Sequence, residues 1–239
     1  MRKKEAKRLL KKVWHFIWED NSVWSWIVNI ALAFVLIKFI VYPGLGLLLA
    51  TSHPVVAVVS SSMEHKSVRS CVSNGIIDML RESSKCNGYK YAMCGNTYEE
   101  KKSFGLDEYW EHCGRWYKEN GITKEDFSEF SYKNGFNKGD IMVLRGIEAE
   151  KISAGDVVVF FSSRKDPIIH RVVGKGEKDG KIYFHTKGDN NEDSIRSNAL
   201  DETKVNEDAV IGKAVLRVPL LGYIKIWFVD ILKALGFIP

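Results

Sequence analysis

Ile168-Ile169-His170-Arg171-Val172-Val173, followed by Asp179-Gly180 and then Ile182-Tyr183-Phe184-His185-Thr186, sets the fold class of this chain. β-Branched and aromatic runs on either side of an Asp-Gly dipeptide predict two strands joined by a tight hairpin turn. The same kind of run recurs outward from this pair at Ile141 to Leu144, Asp156 to Phe161 and Val210 to Val218. Each is bounded by Gly, Asp, Asn or Pro. Strands in such dense succession, with no helices between them, predict a mainly β, antiparallel domain. One more β-branched run, Val55 to Val59, leads directly into Ser60-Ser61-Ser62.

The N-terminal part has a different character. Arg2, Lys3, Lys4, Lys7, Arg8, Lys11 and Lys12 are opposed in that run only by Glu5, and they carry much of the net charge of +5. Leu9, Leu10, Val13, Trp14 and Ile17 lie between and after them at helical spacing, which fits an amphipathic helix or an extension of the helix that follows. Val23 to Val41 is then predominantly apolar and near the length needed to cross a bilayer. It is interrupted by Ser25, Asn29 and Lys38, and Trp18, Trp24 and Trp26 mark an interfacial belt. No lysine or arginine occurs from Tyr42 to Ser60. The charge bias predicts a single-pass cell-membrane protein, with residues 1–22 cytoplasmic, a retained span over 23–41 and the remainder outside. The length of the apolar part argues against a cleaved signal peptide, and the adjoining apolar segment argues against nucleic acid as the partner of the basic tail. Pro43-Gly44 is expected to end the helix. Residues 219–239 carry Leu220, Ile224, Trp227, Phe228, Ile231 and Leu235 among Lys225, Asp230 and Lys233, which favours an interfacial helix over a second span.

Residues 66–135 form an insertion between the two parts of the β domain, 42–65 and 136–218. The insertion holds all four cysteines, Cys71, Cys86, Cys94 and Cys113. None has the paired spacing of a zinc site, so two disulfides are expected, with three pairings open. Phe104 to Glu119, with Trp110, Trp116 and Tyr117, reads as a helix whose aromatic face belongs to a small core of the insertion's own. No phosphate-binding glycine loop or metal-ligand cluster is evident, and no cofactor is expected.

Three segments carry candidate chemistry. Ser62-Met63 follows the apolar run; His170 lies inside a strand; Asp189 and Asp193 lie in Thr186-Lys187-Gly188-Asp189-Asn190-Asn191-Glu192-Asp193. A hydroxyl, an imidazole with an ordinary pKa of about 6.5 and carboxylates are the set that acyl transfer by serine requires.

Val55 to His65 resembles the nucleophile box of signal peptidase I. Asn137-Lys138-Gly139-Asp140-Ile141, Ile169 to Val173 and Lys187 to Asn191 are similar to its later boxes, in the same order. Gly212-Lys213-Ala214 with Pro219 to Gly222 resembles the closing strand. The resemblance covers roughly residues 20–65 and 136–225 and leaves the insertion unexplained. Histidine at position 170, where bacterial-type members have lysine, is similar to archaeal and endoplasmic-reticulum members. Ser61 departs from the glycine usual before the nucleophile. The resemblance implies Ser62 as nucleophile, His170 as general base, Asp193 as the orienting acid and Asp189 as a supporting residue. The developing oxyanion needs preorganised donors, for which the Ser62 N–H is the obvious one, and the resemblance implies the Ser60 hydroxyl as a further candidate. The fold expected is thus a signal-peptidase-like β domain with an N-terminal transmembrane helix and a partly helical insertion. The function expected is removal of signal peptides after small residues. Preproteins and the lipid bilayer are the expected partners, and the secretion translocon is a further candidate. A processing protease dedicated to one surface-protein class and a non-enzymatic extracellular binding module are the alternatives.

Overall fold

The computed structural model describes residues 2–73, 76–78 and 88–236. The chain divides into two compact units, residues 1–49 and 50–239.

The first unit is helical. Helix α1 (Arg2–Trp18) is separated by a short turn from α2 (Val23–Leu36), whose first turn is capped by the Ser22 side chain accepting from the Ser25 N–H. The polar interruptions of the apolar segment have partners here. Ser25 Oγ donates to the Phe16 carbonyl at 2.6 Å and Asn29 Nδ2 to the Ile17 carbonyl at 2.8 Å. These bonds satisfy carbonyls that the last turn of α1 leaves open.

The expected break at Pro43-Gly44 does not occur. The helix passes through a π-helical turn, Ile37–Val41, into α3 (Tyr42–Leu48). An interior proline lacks its N–H and its ring crowds the carbonyl four residues back. The turn before Pro43 is widened, with the Tyr42 N–H bonded to the Ile37 carbonyl five residues back, and this local change absorbs the proline. Val23–Leu48 is therefore one helix of 26 residues, long and apolar enough to cross a membrane by length and composition.

The second unit is built on a seven-stranded antiparallel sheet. Its strands are β1 (Val55–Ala57), β6 (Ile141–Arg145), β7 (Val157–Phe160), β8 (Ile168–Lys178), β9 (Lys181–Lys187), β12 (Val205–Asn206) and β13 (Val210–Val218), in the order β1-β6-β13-β7-β8-β9-β12. The β8–β9 hairpin turns at Asp179 and Gly180, both with positive φ (53° and 72°), the conformation that a two-residue Asp-Gly turn supplies at low cost. Alternation sorts the strand residues onto two faces. Val157, Val159 and Ile169 pack with Val58, Met63, Phe136, Met142 and Leu144 in one core. Val158, Phe160, Val172, Phe184 and Leu200 form another.

The insertion contributes a second antiparallel sheet, β2 (Val68–Ser73), β3 (Ile76–Asp78), β4 (Tyr89–Met93) and β5 (Asn96–Tyr98), with α4 (Leu106–Glu119) and α5 (Lys124–Glu129). Cys94 is bonded to Cys113; Cys71 is also disulfide-bonded, and Cys86 lies outside the described residues. The insertion has the small core expected of it, and one residue of the larger sheet joins that core. Tyr109, Trp110, Tyr117 and Phe127 share one cluster with Val173 of β8, so the insertion's aromatic face also packs against the seven-stranded sheet. A 14-residue helix and a few short strands bury too little apolar surface alone. After β13, α6 (Tyr223–Ala234) carries exposed Ile224, Trp227, Phe228 and Ile231.

Candidate active site

Ser62 stands just past β1, on a segment fixed by backbone bonds to two loops, the one that precedes β6 and the one that follows β9. Val58 N–H donates to Asp140, Phe136 N–H to Met63 and Asn190 N–H to Ser62, at 2.8, 3.0 and 2.8 Å. The Met63 side chain is sunk in the core at 1% exposure and anchors the chain directly after the serine. His170 sits in β8 opposite Val158, and its Nε2 lies 2.9 Å from Ser62 Oγ. The two residues are 108 apart in sequence and their strands are four places apart in the sheet; they meet where the loop after β9, the hairpin partner of β8, bonds the serine segment through the Asn190 N–H.

Glycine at 188 is what lets the next loop pass beside the imidazole. A Cβ there would stand 2.8 Å from His170 Nε2 and 2.7 Å from Asn191 Nδ2. The carboxylate on the far side of the ring belongs to Glu202, which sequence reasoning did not select. Its Oε1 is hydrogen-bonded to His170 Nδ1 and accepts from the Thr186 hydroxyl at 3.0 Å; its Oε2 accepts from the Ile195 N–H at 2.8 Å. Burial works against the Glu202 carboxylate, yet His170 and these hydrogen bonds hold it below the usual carboxylate range. With Nδ1 donating to Glu202, Nε2 is left as the acceptor facing Ser62.

Neither aspartate singled out in the sequence touches His170. Adjacent strand residues face opposite ways, and Arg171 points away from His170, over the rings of Phe127 and Phe130 in the insertion. There it meets fully buried Asp189, through Nε to Oδ1 at 2.8 Å and Nη2 to Oδ2 at 2.7 Å. His65 Nε2 and the Tyr117 hydroxyl occupy the remaining positions of that carboxylate, both at 3.1 Å. Burial raises the Asp189 pKa, but the Arg171 charge and His65 overcome it and depress it far below the usual carboxylate value. Asp193 accepts from the Trp116 indole N–H at 2.8 Å and from the Ser194 N–H at 2.7 Å. Lys187, between these groups, is buried against Trp116 and Tyr117, and burial lowers its pKa to about 8. Ser60 Oγ lies 3.1 Å from Ser62 Oγ.

A serine hydroxyl on one imidazole nitrogen and a buried carboxylate on the other is the arrangement that nucleophilic acyl transfer requires. The site is of the serine–histidine–acid class, carried on an antiparallel β domain. No protein-family model matches the chain. It is similar to the signal peptidase complex catalytic subunit SEC11C of Homo sapiens, with 37% identity over 99 residues, or 40% of this chain and 52% of that protein. Similar too are the catalytic subunits SEC11 of Pyricularia oryzae and sec11 of Neurospora crassa, each 35% identical over 100 residues that cover 58% of the relative. The chain spans about half the length of the curated relatives it matches.

Proposed function

We propose that this protein is a membrane-anchored signal peptidase that cleaves preproteins after small residues through an acyl-enzyme. The observation carrying the proposal is the 2.9 Å contact between Ser62 Oγ and His170 Nε2, with Glu202 on the opposite ring nitrogen. In this reading Glu202, not Asp189 or Asp193, is the orienting acid. Ser62 Oγ attacks the carbonyl that precedes the cut and its proton passes to His170 Nε2. Glu202 stabilises the imidazolium, which then protonates the leaving amine. Water, deprotonated by His170, releases the acyl group and restores the serine. The Ser62 N–H and the Ser60 hydroxyl donate to the oxyanion. The apolar helix anchors the chain with its basic N-terminus in the cytoplasm. A signal peptide's apolar core then stays in the bilayer while its cut site emerges beside Ser62.

The test is cleavage of a signal-peptide-bearing precursor in lipid vesicles by the full chain, Ser62→Ala and His170→Ala. Cleavage after a small residue that both substitutions abolish supports the proposal. Folded wild type that cuts only one surface-protein precursor from a broad panel favours the dedicated protease, and inactivity toward all precursors and acylating serine probes favours a binding module. Cleavage that survives both substitutions places the site elsewhere.

A further inference from the structure

Helix α4 of the insertion reaches the nucleophile's segment mainly through the loop that follows β9. Its Tyr109 hydroxyl donates to the Asp189 carbonyl at 2.8 Å, and its Tyr117 hydroxyl to Asp189 Oδ1 at 3.1 Å. The Cys94 N–H donates to the Asn190 carbonyl at 2.9 Å, and Cys94 is covalently tied to α4 at Cys113. On its other side the same loop grips the serine segment. Asn190 donates its N–H to the Ser62 carbonyl at 2.8 Å, and its side-chain amide to the Glu64 and Lys66 carbonyls at 2.8 and 2.7 Å. His65, three residues after the nucleophile, bonds Asp189 and lies flat on the Tyr109 ring, with centroids 3.6 Å apart and planes 1° apart.

We propose that the insertion is a brace for the nucleophile: α4, locked by the Cys94–Cys113 disulfide, fixes Asp189-Asn190 and through them the position of Ser62. Tyr109, Tyr117 and Asn190 are positioning residues, since none of them touches the reacting atoms. The proposal rests on Ser62 being the nucleophile of the peptidase reading. Its physical basis is that an attacking oxygen must be held within a fraction of an ångström, a 1 Å displacement being able to cost about a hundredfold in rate. Loop 188–191 has the Ser62 segment on one side and α4 on the other. Loss of α4 leaves that loop free to shift the serine relative to His170, which is held separately by β8 and Glu202.

The experiment compares the full chain with Tyr117→Phe, which removes a single hydroxyl, and with the Cys94→Ser/Cys113→Ser double variant, in lipid. Arg115→Ala, an exposed residue of the same helix, is the control. Two quantities are read: kcat and KM on a signal-peptide precursor, and amide hydrogen exchange of peptides covering 60–66 and 188–192. The expected result is a fall in kcat of at least about tenfold in both brace variants, with KM within about twofold, and faster exchange in those two peptides. The control should match wild type in both. Unchanged kcat and unchanged exchange in a folded double variant overturns the brace while leaving the peptidase reading intact. An equal loss in the control also overturns it, because the effect is then not specific to the loop contacts. If wild type cleaves nothing, the peptidase reading fails. Faster exchange at 60–66 in the variants then still supports the mechanical coupling, and unchanged exchange overturns it.

Discussion

Glu202→Gln is the substitution on which the assignment of the orienting acid turns. The side chain is fully buried, and its two oxygens have different obligations. Oε2 accepts the Ile195 N–H, a fixed donor; Oε1 faces His170 Nδ1 and the Thr186 hydroxyl, which can rotate. Glutamine offers one acceptor and one donor in the same shape. Turning its NH2 toward Ile195 sets two donors against each other and leaves a buried N–H unsatisfied, at a cost of about 1–3 kcal/mol. The amide oxygen therefore stays on Ile195 and the NH2 faces His170. Nδ1 must then accept, so the ring proton moves to Nε2 and points at Ser62. That nitrogen can no longer take the serine proton. A wrong tautomer of this kind lowers kcat by about 10⁴ in the chymotrypsin-type triad, and a loss of about 10³–10⁴ is expected here with little change in KM. Asp193→Asn should stay within a few-fold of wild type, because Asp193 serves Trp116 and Ser194. The assay is single-turnover cleavage of a precursor in lipid vesicles across pH 6–9. Wild-type kcat in Glu202→Gln, with a large loss in Asp193→Asn, would refute the assignment and return the role to Asp193.

Two further outcomes follow from the geometry. Gly188→Ala puts a methyl 2.8 Å from His170 Nε2 and should displace the ring from Ser62. A loss of kcat of about a hundredfold or more in a protein whose melting is little changed is expected, and retained kcat would mean that the ring does not work in this position. Asp189 is the group whose ionisation holds sheet and insertion together, and its folded pKa is depressed, chiefly by Arg171 acting against burial. The resulting stability is complete above the unfolded carboxyl value of about 4 and is lost as pH falls from there through the folded value. Urea unfolding of the full chain in detergent should show this acid loss, and Asp189→Asn should remove its steepest part while costing about 3–5 kcal/mol at pH 7. Parallel pH curves for the two proteins would show that the ion pair contributes nothing.

The parts of this protein written locally were legible in the sequence. Asp179-Gly180 specifies its turn by backbone preference alone, and the β-branched runs around it give the antiparallel sheet. The apolar helix follows from composition, although its course past Pro43 depends on a π-turn that carries no residue signature. Ser62 and His170 could be singled out because the apolar runs in or beside which they stand resemble, in order, the boxes of signal peptidase I. Glu202 could not. It lies in an ordinary Leu-Asp-Glu-Thr stretch, 32 residues from His170, and a buried carboxylate differs from a surface one only in what surrounds it. Those surroundings, Thr186 and Ile195, come from β9 and a loop.

The sequence by itself determined which segments become strands or helices and which reactive side chains they carry, because these properties depend on a residue and its near neighbours. Only the tertiary structure decided which carboxylate serves His170, why Arg171 and Asp189 turn away from it, and that the insertion is fastened to the loop behind Ser62. Those outcomes depend on which strand lies beside which, and on the face to which alternation sends each side chain.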